Sequence, residues 1–186
     1  MVKIDRVVTR GGDRGQTSLG DGQRVPKDAP RIEAIGAVDE ANAALGMVRA
    51  QLPADAEANA MLGRMQNDLF DLGADLCVPG EAGERLRLNE APVRRLEAEI
   101  AAMTKGLPAL TSFVLPGGTP AAVAAHVART VLRRAERRVV SLARAEAVNP
   151  LLVVYLNRAS DALFALARRL NTETGTDVLW VPGAGR

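Results

Sequence analysis

Residues 119–144 read TPAAVAAHVARTVLRRAERRVVSLAR, the stretch that decides the fold class of this chain. Thr119 precedes Pro120, which is the arrangement of a helix N-cap followed by proline at the first helical position. The alanine-rich sequence beyond them carries apolar residues at helical spacing. We expect the following to face a core: Val123, Val127, Val131, Ala135, Val139 and Leu142. The stretch therefore predicts one long amphipathic helix that ends near Arg144.

Four more helical segments flank this one along the chain. The first is predicted at about residues 31–52, the second at about 54–77 and a shorter third at about 89–103. The last begins after Asn149 and Pro150, which repeat the cap-and-proline arrangement, and ends near Asn171. Each of these segments carries apolar residues at helical spacing. The stripe of the first is Ile32, Ile35, Val38, Leu45 and Val48, and that of the second is Leu62, Met65, Leu69, Leu72 and Leu76. The stripe of the third is Val93, Leu96 and Ile100, and that of the last is Val153, Leu156, Leu163, Ala167 and Leu170.

Strands are nearly absent from these patterns, and no repeat or linker divides the chain. Long helices with short connections are typical of helix bundles. We predict an all-α fold, a five-helix up-and-down bundle in a single domain over residues 1–186. Residues 1–30 would form an N-terminal glycine-rich loop, residues 31–171 the bundle and residues 172–186 a C-terminal tail.

Composition narrows the class of function. The 186 residues are 47% hydrophobic and 25% charged with a net charge of +2, too nearly neutral to predict nucleic-acid binding. A single cysteine, Cys77, excludes a disulfide scaffold, and a single histidine, His126, argues against a transition metal held by the protein. No run has the apolar character of a signal peptide or the length of a membrane span. We predict a soluble cytoplasmic protein without a membrane partner.

The N-terminal loop, residues 9–28, reads TRGGDRGQTSLGDGQRVPKD. Its glycines allow backbone N–H groups to converge on an anion, because no Cβ obstructs the approach. Charge and hydroxyl groups come from Arg10, Arg14 and Lys27 and from Thr9, Thr17 and Ser18. The loop lacks the G-x-x-x-x-G-K-[ST] pattern of a Walker loop. Two interpretations stay open, a polyphosphate-binding loop and an exposed, flexible tail.

The long helix carries a row of arginines. Arg129, Arg133 and Arg137 follow one another at intervals of four residues and therefore stack on one face, with Arg134 and Arg138 beside them. Glu136, three residues after Arg133, lies close enough to orient its guanidinium. Neighbouring like charges repel, which favours an anionic partner, although a solvated helix face is the alternative.

Two further residues have undecided roles. Asn157 lies inside the last helix, where its amide competes for backbone hydrogen bonds, so we expect either a structural hydrogen bond or a ligand contact. The structural alternative pairs Arg158 with Asp161 across helices. Phe113 lies in a short loop that ends in Pro116-Gly117-Gly118, and it either plugs the end of the bundle or presents an aromatic face to a flat ligand.

Four other side chains are expected to have no chemical role. Phe70 and Phe164 fall on helical stripes and are predicted in the core. His126 is expected to bond to a neighbour, and Cys77 is expected to be buried and inert. Trp180 is open between packing on the last helix and closing over a ligand.

Three blocks together resemble the ATP:cob(I)alamin adenosyltransferases, or corrinoid adenosyltransferases, of the propanediol-utilisation type. TRGGDRGQTSLGDGQRVPKD resembles that family's nucleotide loop, FVLPGGTPAAVAAHVARTVLRRAERRVV its arginine helix, and NPLLVVYLNRASDALFALAR its final helix. RIEAIGAVDEANAALG and MQNDLFDLGADL lie between them in the family's order. The resemblance covers nearly the whole chain, and the family usually has Thr where this chain has Gly11.

The resemblance implies a homotrimer with active sites between adjacent subunits, Mg²⁺ bound to the ATP phosphates rather than to protein ligands, and a corrin in an apolar cavity. Asp39 and Arg129 match an inter-subunit ion pair, and Phe113 matches the aromatic residue beneath the corrin. Asp39, Arg129, Arg133 and Asn157 would be the catalytic set. The implied ATP contacts are Thr9, Arg10, Gly11, Gly12, Thr17, Ser18, Lys27, Arg133, Arg134, Ala135, Glu136, Arg137 and Asn157.

The family's reaction transfers the 5′-deoxyadenosyl group of ATP to cob(I)alamin and releases triphosphate. Because Co(I) is itself the nucleophile, the protein needs only orientation and positive charge, which the arginines and Lys27 supply. A reductase would supply Co(I), and an adenosylcobalamin-dependent enzyme would receive the product. The alternatives are a nucleotide-binding regulatory module and a purely structural bundle. The first need not keep Phe113 or Asn157, and the second leaves the glycine loop and arginine row without a role.

Overall fold

Five helices form the computed structural model, which describes residues 8–80, 85–172 and 177–185. They are α1 (Pro30–Arg49), α2 (Glu57–Leu76), α3 (Glu90–Thr104), α4 (Pro120–Ala143) and α5 (Leu151–Thr172). Every predicted helix is present within a few residues of its expected bounds, and the all-α class is confirmed. Residues 1–7, 173–176 and 186 of the predicted terminal segments lie outside the described residues.

Helix starts follow the capping chemistry of the sequence. The Thr119 hydroxyl accepts a hydrogen bond from the backbone N–H of Ala122 at 3.2 Å, and the Asn149 side chain accepts one from Leu151 at 3.0 Å. Each bond satisfies a donor that the first turn of a helix leaves without an intrahelical partner. Both predicted caps are therefore confirmed.

The helices pack in the order α2, α1, α4, α5, α3, with α4 between α1 and α5. The predicted stripes of α2 and α5 supply buried leucines, and Tyr155 is fully buried among them. None of the helices in the described part of the chain is long and apolar enough to cross a membrane.

The buried face of α4 differs from the predicted one. Val123 and Val127 are 41% and 49% exposed, whereas alanines and His126 fill that part of the interface. Successive steps of four residues drift about 40° around a helix, so a row of valines four apart leaves the core. The buried row instead alternates steps of four and three: Ala121, Ala125, Ala128, Leu132, Ala135, Val139 and Leu142.

Two predictions for the second helix were also wrong. Phe70 is 69% exposed because it lies beside Leu69, which already occupies the buried stripe of α2. Cys77 is half-buried rather than buried, at the C-cap of the same helix. Phe164 is only partly buried, packed edge-on against His126 with ring centroids 6.4 Å apart.

The glycine-rich loop contains two short strands that the sequence patterns missed. β1 (Gln16–Ser18) and β2 (Arg24–Pro26) pair antiparallel, with Thr17 opposite Val25. Three-residue strands bounded by glycine and polar residues are too short for an alternating pattern to reveal. The hairpin is tied to the end of α2, because the Gly20 N–H donates to the Cys77 carbonyl at 2.8 Å.

Candidate functional site

The glycine-rich loop folds as a hairpin with its own hydrogen bonds. The Lys27 N–H donates to the Gly15 carbonyl at 2.9 Å, and this bond joins the two ends of the hairpin. A Cβ at Gly12 would lie 2.8 Å from Lys27 Nζ, so the lysine ammonium rests directly on the bare Gly12 backbone. Glycine at this position therefore makes room for the one lysine of the loop.

Arg24 is a part of this hairpin that sequence reasoning missed. Its guanidinium donates to the Ser18 hydroxyl at 3.1 Å and to the Gly11 carbonyl at 2.7 Å. These bonds connect the second strand to the first and to the turn that precedes it. An arginine opposite a serine in a hairpin would have indicated this bond, but the sequence patterns did not predict a hairpin here. The Gly11 carbonyl therefore accepts a hydrogen bond from within the hairpin itself.

The remaining loop residues stand around this frame. Thr9 and Arg10 are exposed at the entry of the hairpin, and Arg10 adopts φ +58°. A non-glycine residue rarely adopts this left-handed conformation. Thr17 is half-buried within β1. The loop is therefore a folded hairpin, and its role as an anion site stays a prediction.

The arginines of α4 divide into two groups. Arg134 and Arg138 form ion pairs with Glu40 and Glu33 of α1, the latter at 3.8 Å. Arg133 and Arg137 have no ion pair among the described residues, and Arg137 donates to the Arg133 carbonyl at 3.0 Å. Two guanidinium groups without carboxylate partners on one face leave positive charge available to an anion.

A cavity of about 360 Å³ lies along this face of α4, lined by Arg133, Glu136, Arg137, Val140, Ser141 and Arg144. Ala135, in the middle of the same stretch, is fully buried, so its side chain faces the core rather than this cavity. The predicted ATP contact at position 135 is therefore not available to its side chain, because the helical turn directs residues 133 and 135 to different faces.

Glu136 and Asn157 meet between α4 and α5. The Asn157 side-chain N–H donates to Glu136 at 3.3 Å, and Arg158 donates to the side-chain amide oxygen of Asn157 at 2.9 Å. Glu136 was expected to orient Arg133, but it accepts from Asn157 instead. Arg158 reaches Glu97 of α3 at 2.8 Å, whereas its contact with Asp161 lies within α5 rather than across helices. Asn157 therefore has a structural hydrogen bond, and a ligand contact by the same side chain stays a prediction.

Arg129 lies one turn before the arginine cavity. Its guanidinium carbon lies 6.0 Å from the centroid of the Phe164 ring, and its buried Nε has no hydrogen-bond partner among the described residues. Burial, together with the neighbouring charge of Arg133, lowers the pKa of Arg129. Asp39 is exposed on α1 and forms no ion pair with Arg129 within the chain. Each member of the predicted pair therefore lacks its expected partner inside the described subunit.

His126 is buried beside Arg129, and neither ring nitrogen has a hydrogen-bond partner within the described residues. The expected bond to a neighbour is absent there. Burial is the main cause that lowers the pKa of His126, and the charge of Arg129 lowers it further. The ring packs edge-on against Phe164.

Phe113 is 77% exposed in the loop between α3 and α4, so it does not plug the end of the bundle. Its ring centroid lies 6.1 Å from that of Trp180, with the planes tilted by 49°. No hydrogen bond or ion pair connects residues 9–27 to α4 among the described residues. The hairpin, the arginine cavity and the aromatic loop are therefore three separate surfaces of the described chain.

These surfaces define the class of protein as an all-α bundle with exposed aromatic rings and with two arginines, Arg133 and Arg137, that form no ion pair within the described ranges. The sequence model of the Cobalamin adenosyltransferase family matches residues 7–170. The chain belongs to the cobalamin adenosyltransferase family.

Two relatives and one solved structure with names from this family are similar to the chain over nearly its whole length. A Cobalamin adenosyltransferase of Cupriavidus metallidurans is 47% identical over 96% of this chain and 95% of the relative. A Corrinoid adenosyltransferase of Mycobacterium bovis is 46% identical over 100% and 97%. The structure of a variant PduO-type ATP:corrinoid adenosyltransferase from Lactobacillus reuteri, complexed with cobalamin and ATP, superposes with a TM-score of 0.90. It is 38% identical and covers 95% of this chain and 97% of its own.

Proposed function

We propose that this chain transfers the 5′-deoxyadenosyl group of ATP to cob(I)alamin, forming adenosylcobalamin and releasing triphosphate, in the cytoplasm. The observation that carries the proposal is family membership over nearly the whole chain. It is joined by Arg133 and Arg137, which line one cavity and have no ion pair in the part of the chain that the structure describes. A regulatory nucleotide-binding module would not need the exposed aromatic loop. A structural bundle would leave the cations of Arg133 and Arg137 without a role.

The ATP site is assigned to the hairpin and the arginine cavity. On the hairpin, Thr9, Arg10, Gly11, Gly12, Thr17, Ser18 and Lys27 would contact the nucleotide; on the helices, Arg133, Arg134, Glu136, Arg137 and Asn157 would do so. The position of the Lys27 ammonium beside Gly12 supports the first part, because a positive charge then lies within the glycine-rich hairpin. Arg133 and Arg137, which have no ion pair in the described segments, support the part of the site that lies on the helices.

The reaction forms a Co–C5′ bond and breaks the bond between C5′ and the triphosphate oxygen, with both electrons of the new bond supplied by Co(I). Negative charge therefore develops on the departing oxygen. Arg133 and Arg137 would bind the triphosphate most strongly as it leaves, which lowers the barrier. No side-chain nucleophile takes part, since the metal of the substrate attacks directly.

Mg²⁺ would accompany ATP and neutralise part of the phosphate charge. The described residues contain no group of three carboxylate, histidine or cysteine side chains that would hold a metal. The arginines and Lys27 fit phosphate oxygens rather than a cation, so the phosphates themselves would be the ligands of Mg²⁺. The protein's contribution is then the orientation of the metal-bound triphosphate.

The active form is proposed to be a homotrimer whose sites lie between subunits. Two features support a boundary there: the structure shows no ion pair between Arg129 and Asp39, and Val123 and Val127 of α4 are exposed. A second subunit would bring the hairpin of one chain to the arginine cavity of the next. A reductase that supplies Co(I) and an adenosylcobalamin-dependent acceptor enzyme complete the proposed set of partners.

The test is to mix the protein with MgATP and chemically prepared cob(I)alamin and to follow the absorbance spectrum and triphosphate release. We expect adenosylcobalamin and triphosphate in equal amounts. Arg133→Ala should lower the rate roughly 100- to 1000-fold, the usual cost of removing one transition-state donor. Arg94→Ala, which removes an exposed arginine of α3 paired only with Glu90, is the matched control.

Three results distinguish the possibilities. ATP binding without product would indicate a regulatory module, and the absence of both would indicate a structural bundle. Wild-type turnover by Arg133→Ala, with unchanged helicity by circular dichroism, would overturn the role given to the arginine face.

A further inference from the structure

The loop that carries Phe113 is paired with the C-terminal segment. Val114 and Leu179 form an antiparallel bridge, the Leu115 N–H donates to the Val178 carbonyl at 2.8 Å and the Trp180 N–H donates to the Phe113 carbonyl at 2.7 Å. The Ser112 hydroxyl also donates to the Trp180 carbonyl at 2.6 Å. Residues 112–115 and 178–180 are therefore a two-stranded unit, even though some 60 residues of helix and loop separate them.

A buried ion pair anchors this unit to the bundle. Arg168 of α5 contacts Asp177 at 2.8 Å, and the two side chains are only 9% and 10% exposed. The same guanidinium donates to the Pro108 carbonyl at 2.7 Å, on the approach to the Phe113 loop. One arginine thus holds the start of the tail and the start of the loop. Removing one partner of a buried pair leaves a charge without compensation, so such an anchor is costly to break.

The aromatic rings of the unit lie side by side in a tilted contact, and both are exposed to solvent. Leu115 and Val178 extend the exposed apolar surface around them. The Trp180 ring beside Phe113 reduces the number of rotamers that Phe113 can adopt. Ordering in advance lowers the entropic cost of binding.

We propose that Trp180 is a positioning residue for the corrin: it holds Phe113 in the orientation in which its ring meets the lower face of the macrocycle, and the Arg168–Asp177 pair holds Trp180 in place. This inference rests on the proposed function, since it assumes that Phe113 meets a corrin. The consequence concerns cobalt more than nucleotide. An apolar ring against the lower face excludes the axial ligand and water, and four-coordinate Co(II) accepts an electron more easily.

The experiment compares Trp180→Ala, Trp180→Phe and a control, Phe70→Ala, which removes an exposed aromatic ring from α2 away from this unit. With MgATP and cob(II)alamin, Trp180→Ala should form roughly two- to tenfold less four-coordinate Co(II) by electron paramagnetic resonance, the range of aromatic-pair contributions. The Kd for MgATP should not change. Trp180→Phe should recover most of the signal, and Phe70→Ala should match wild type.

A second readout needs no corrin. Trp180 is the only tryptophan of the chain, so its fluorescence reports on the contact directly. Phe113→Ala should shift the emission of the ligand-free protein to longer wavelength, because Trp180 loses its apolar neighbour. Asp177→Asn should produce the same shift and a loss of four-coordinate Co(II) while leaving both rings intact.

The two levels of proposal fail separately. If wild-type protein makes no adenosylcobalamin from chemically prepared cob(I)alamin, the proposed function is wrong. If wild type turns over and Trp180→Ala and Asp177→Asn both form as much four-coordinate Co(II) as wild type, the positioning role alone is overturned. Equal loss in Trp180→Ala and Phe70→Ala would also overturn it.

Discussion

At the scale of single residues, the side chain of Lys27 lies against Gly12. The ammonium lies where a Cβ at position 12 would stand, 2.8 Å from Nζ and 3.1 Å from Cε. The lysine therefore occupies a position that a side chain at residue 12 would crowd. The same pair explains why the sequence could propose an anion site but not say which cation lies over the backbone.

Lys27→Ala should raise the KM for ATP by roughly tenfold or more, since a charge-assisted hydrogen bond contributes about 1.5–3 kcal/mol, and should change the KM for cobalamin much less. Gly12→Ala should shift the KM for ATP in the same direction by displacing the lysine. Gly73→Ala is the control, because its Cβ would meet nothing within 4 Å. Steady-state kinetics with each substrate varied in turn measures the difference. Equal rises in both KM values would contradict a nucleotide-specific role.

His126 predicts a pH dependence of stability. Burial and Arg129 lower its pKa, while Asp177, itself paired with Arg168, acts in the opposite direction. With the folded pKa below the unfolded value of about 6.5, the unfolded chain binds the proton more readily. The free energy of unfolding should therefore decrease as pH falls below about 6.5, and this contribution should be constant above it. His126→Leu should remove it, measured by urea unfolding across this range; an unchanged pH slope would refute the assignment.

At the scale of elements, the end of α5 organises the start of α4. The Asn171 side chain accepts from the Thr119 N–H at 3.1 Å and donates to the Gly117 carbonyl at 3.0 Å. Gly118 between them adopts φ +100°, and a Cβ there would collide with the Asn171 amide. This junction sets where the Phe113 loop ends and the arginine helix begins.

Gly118→Ala should lower the free energy of unfolding by more than the roughly 1 kcal/mol expected from left-handed backbone alone. Gly106→Ala is the matched control, since Gly106 also has positive φ, +81°, but its Cβ would meet nothing within 4 Å. The excess of the first loss over the second measures the collision with Asn171. Chemical denaturation gives both values, and equal losses would show that the junction is not crowded.

At the scale of the whole molecule, α4 faces two environments. Its alanine row packs against α1 and α5, while Val123 and Val127 and the arginine cavity face outward. The two exposed valines give α4 an apolar surface that the proposed second subunit would cover. The proposed trimer therefore rests on α4 more than on any other helix.

Asp39→Ala and Arg129→Ala should each weaken ATP binding, and the double variant should lose less than the sum of the two. If the residues pair across a subunit boundary, the coupling energy should fall in the usual range of about 0.5–3 kcal/mol. A double-mutant cycle on ATP affinity measures it, with sedimentation equilibrium to report the assembly. Additive effects, or a wild-type monomer, would contradict the placement of the site between subunits.

The amino-acid sequence by itself determined the five helices, their caps at Thr119 and Asn149, and the stripe of α2. Capping and apolar periodicity act within a few residues, so they are legible without the rest of the chain. The arginine row and the glycine-rich loop could be recognised for the same reason, since the residues of each lie within one short stretch of sequence. The family resemblance, spread over nearly the whole chain, was legible from its motifs.

The tertiary structure alone decided which face of α4 is buried, which arginines α1 neutralises, and that Trp180 lies beside Phe113. Each depends on residues far apart in the chain: Glu33 and Glu40 pair with Arg138 and Arg134, and the tail pairs with the loop before α4. The valines of α4 look like core residues in isolation, yet alanines permit the closer approach of α1 and α5. Packing between helices selects the face by fit, and no local pattern contains the shape of the partner.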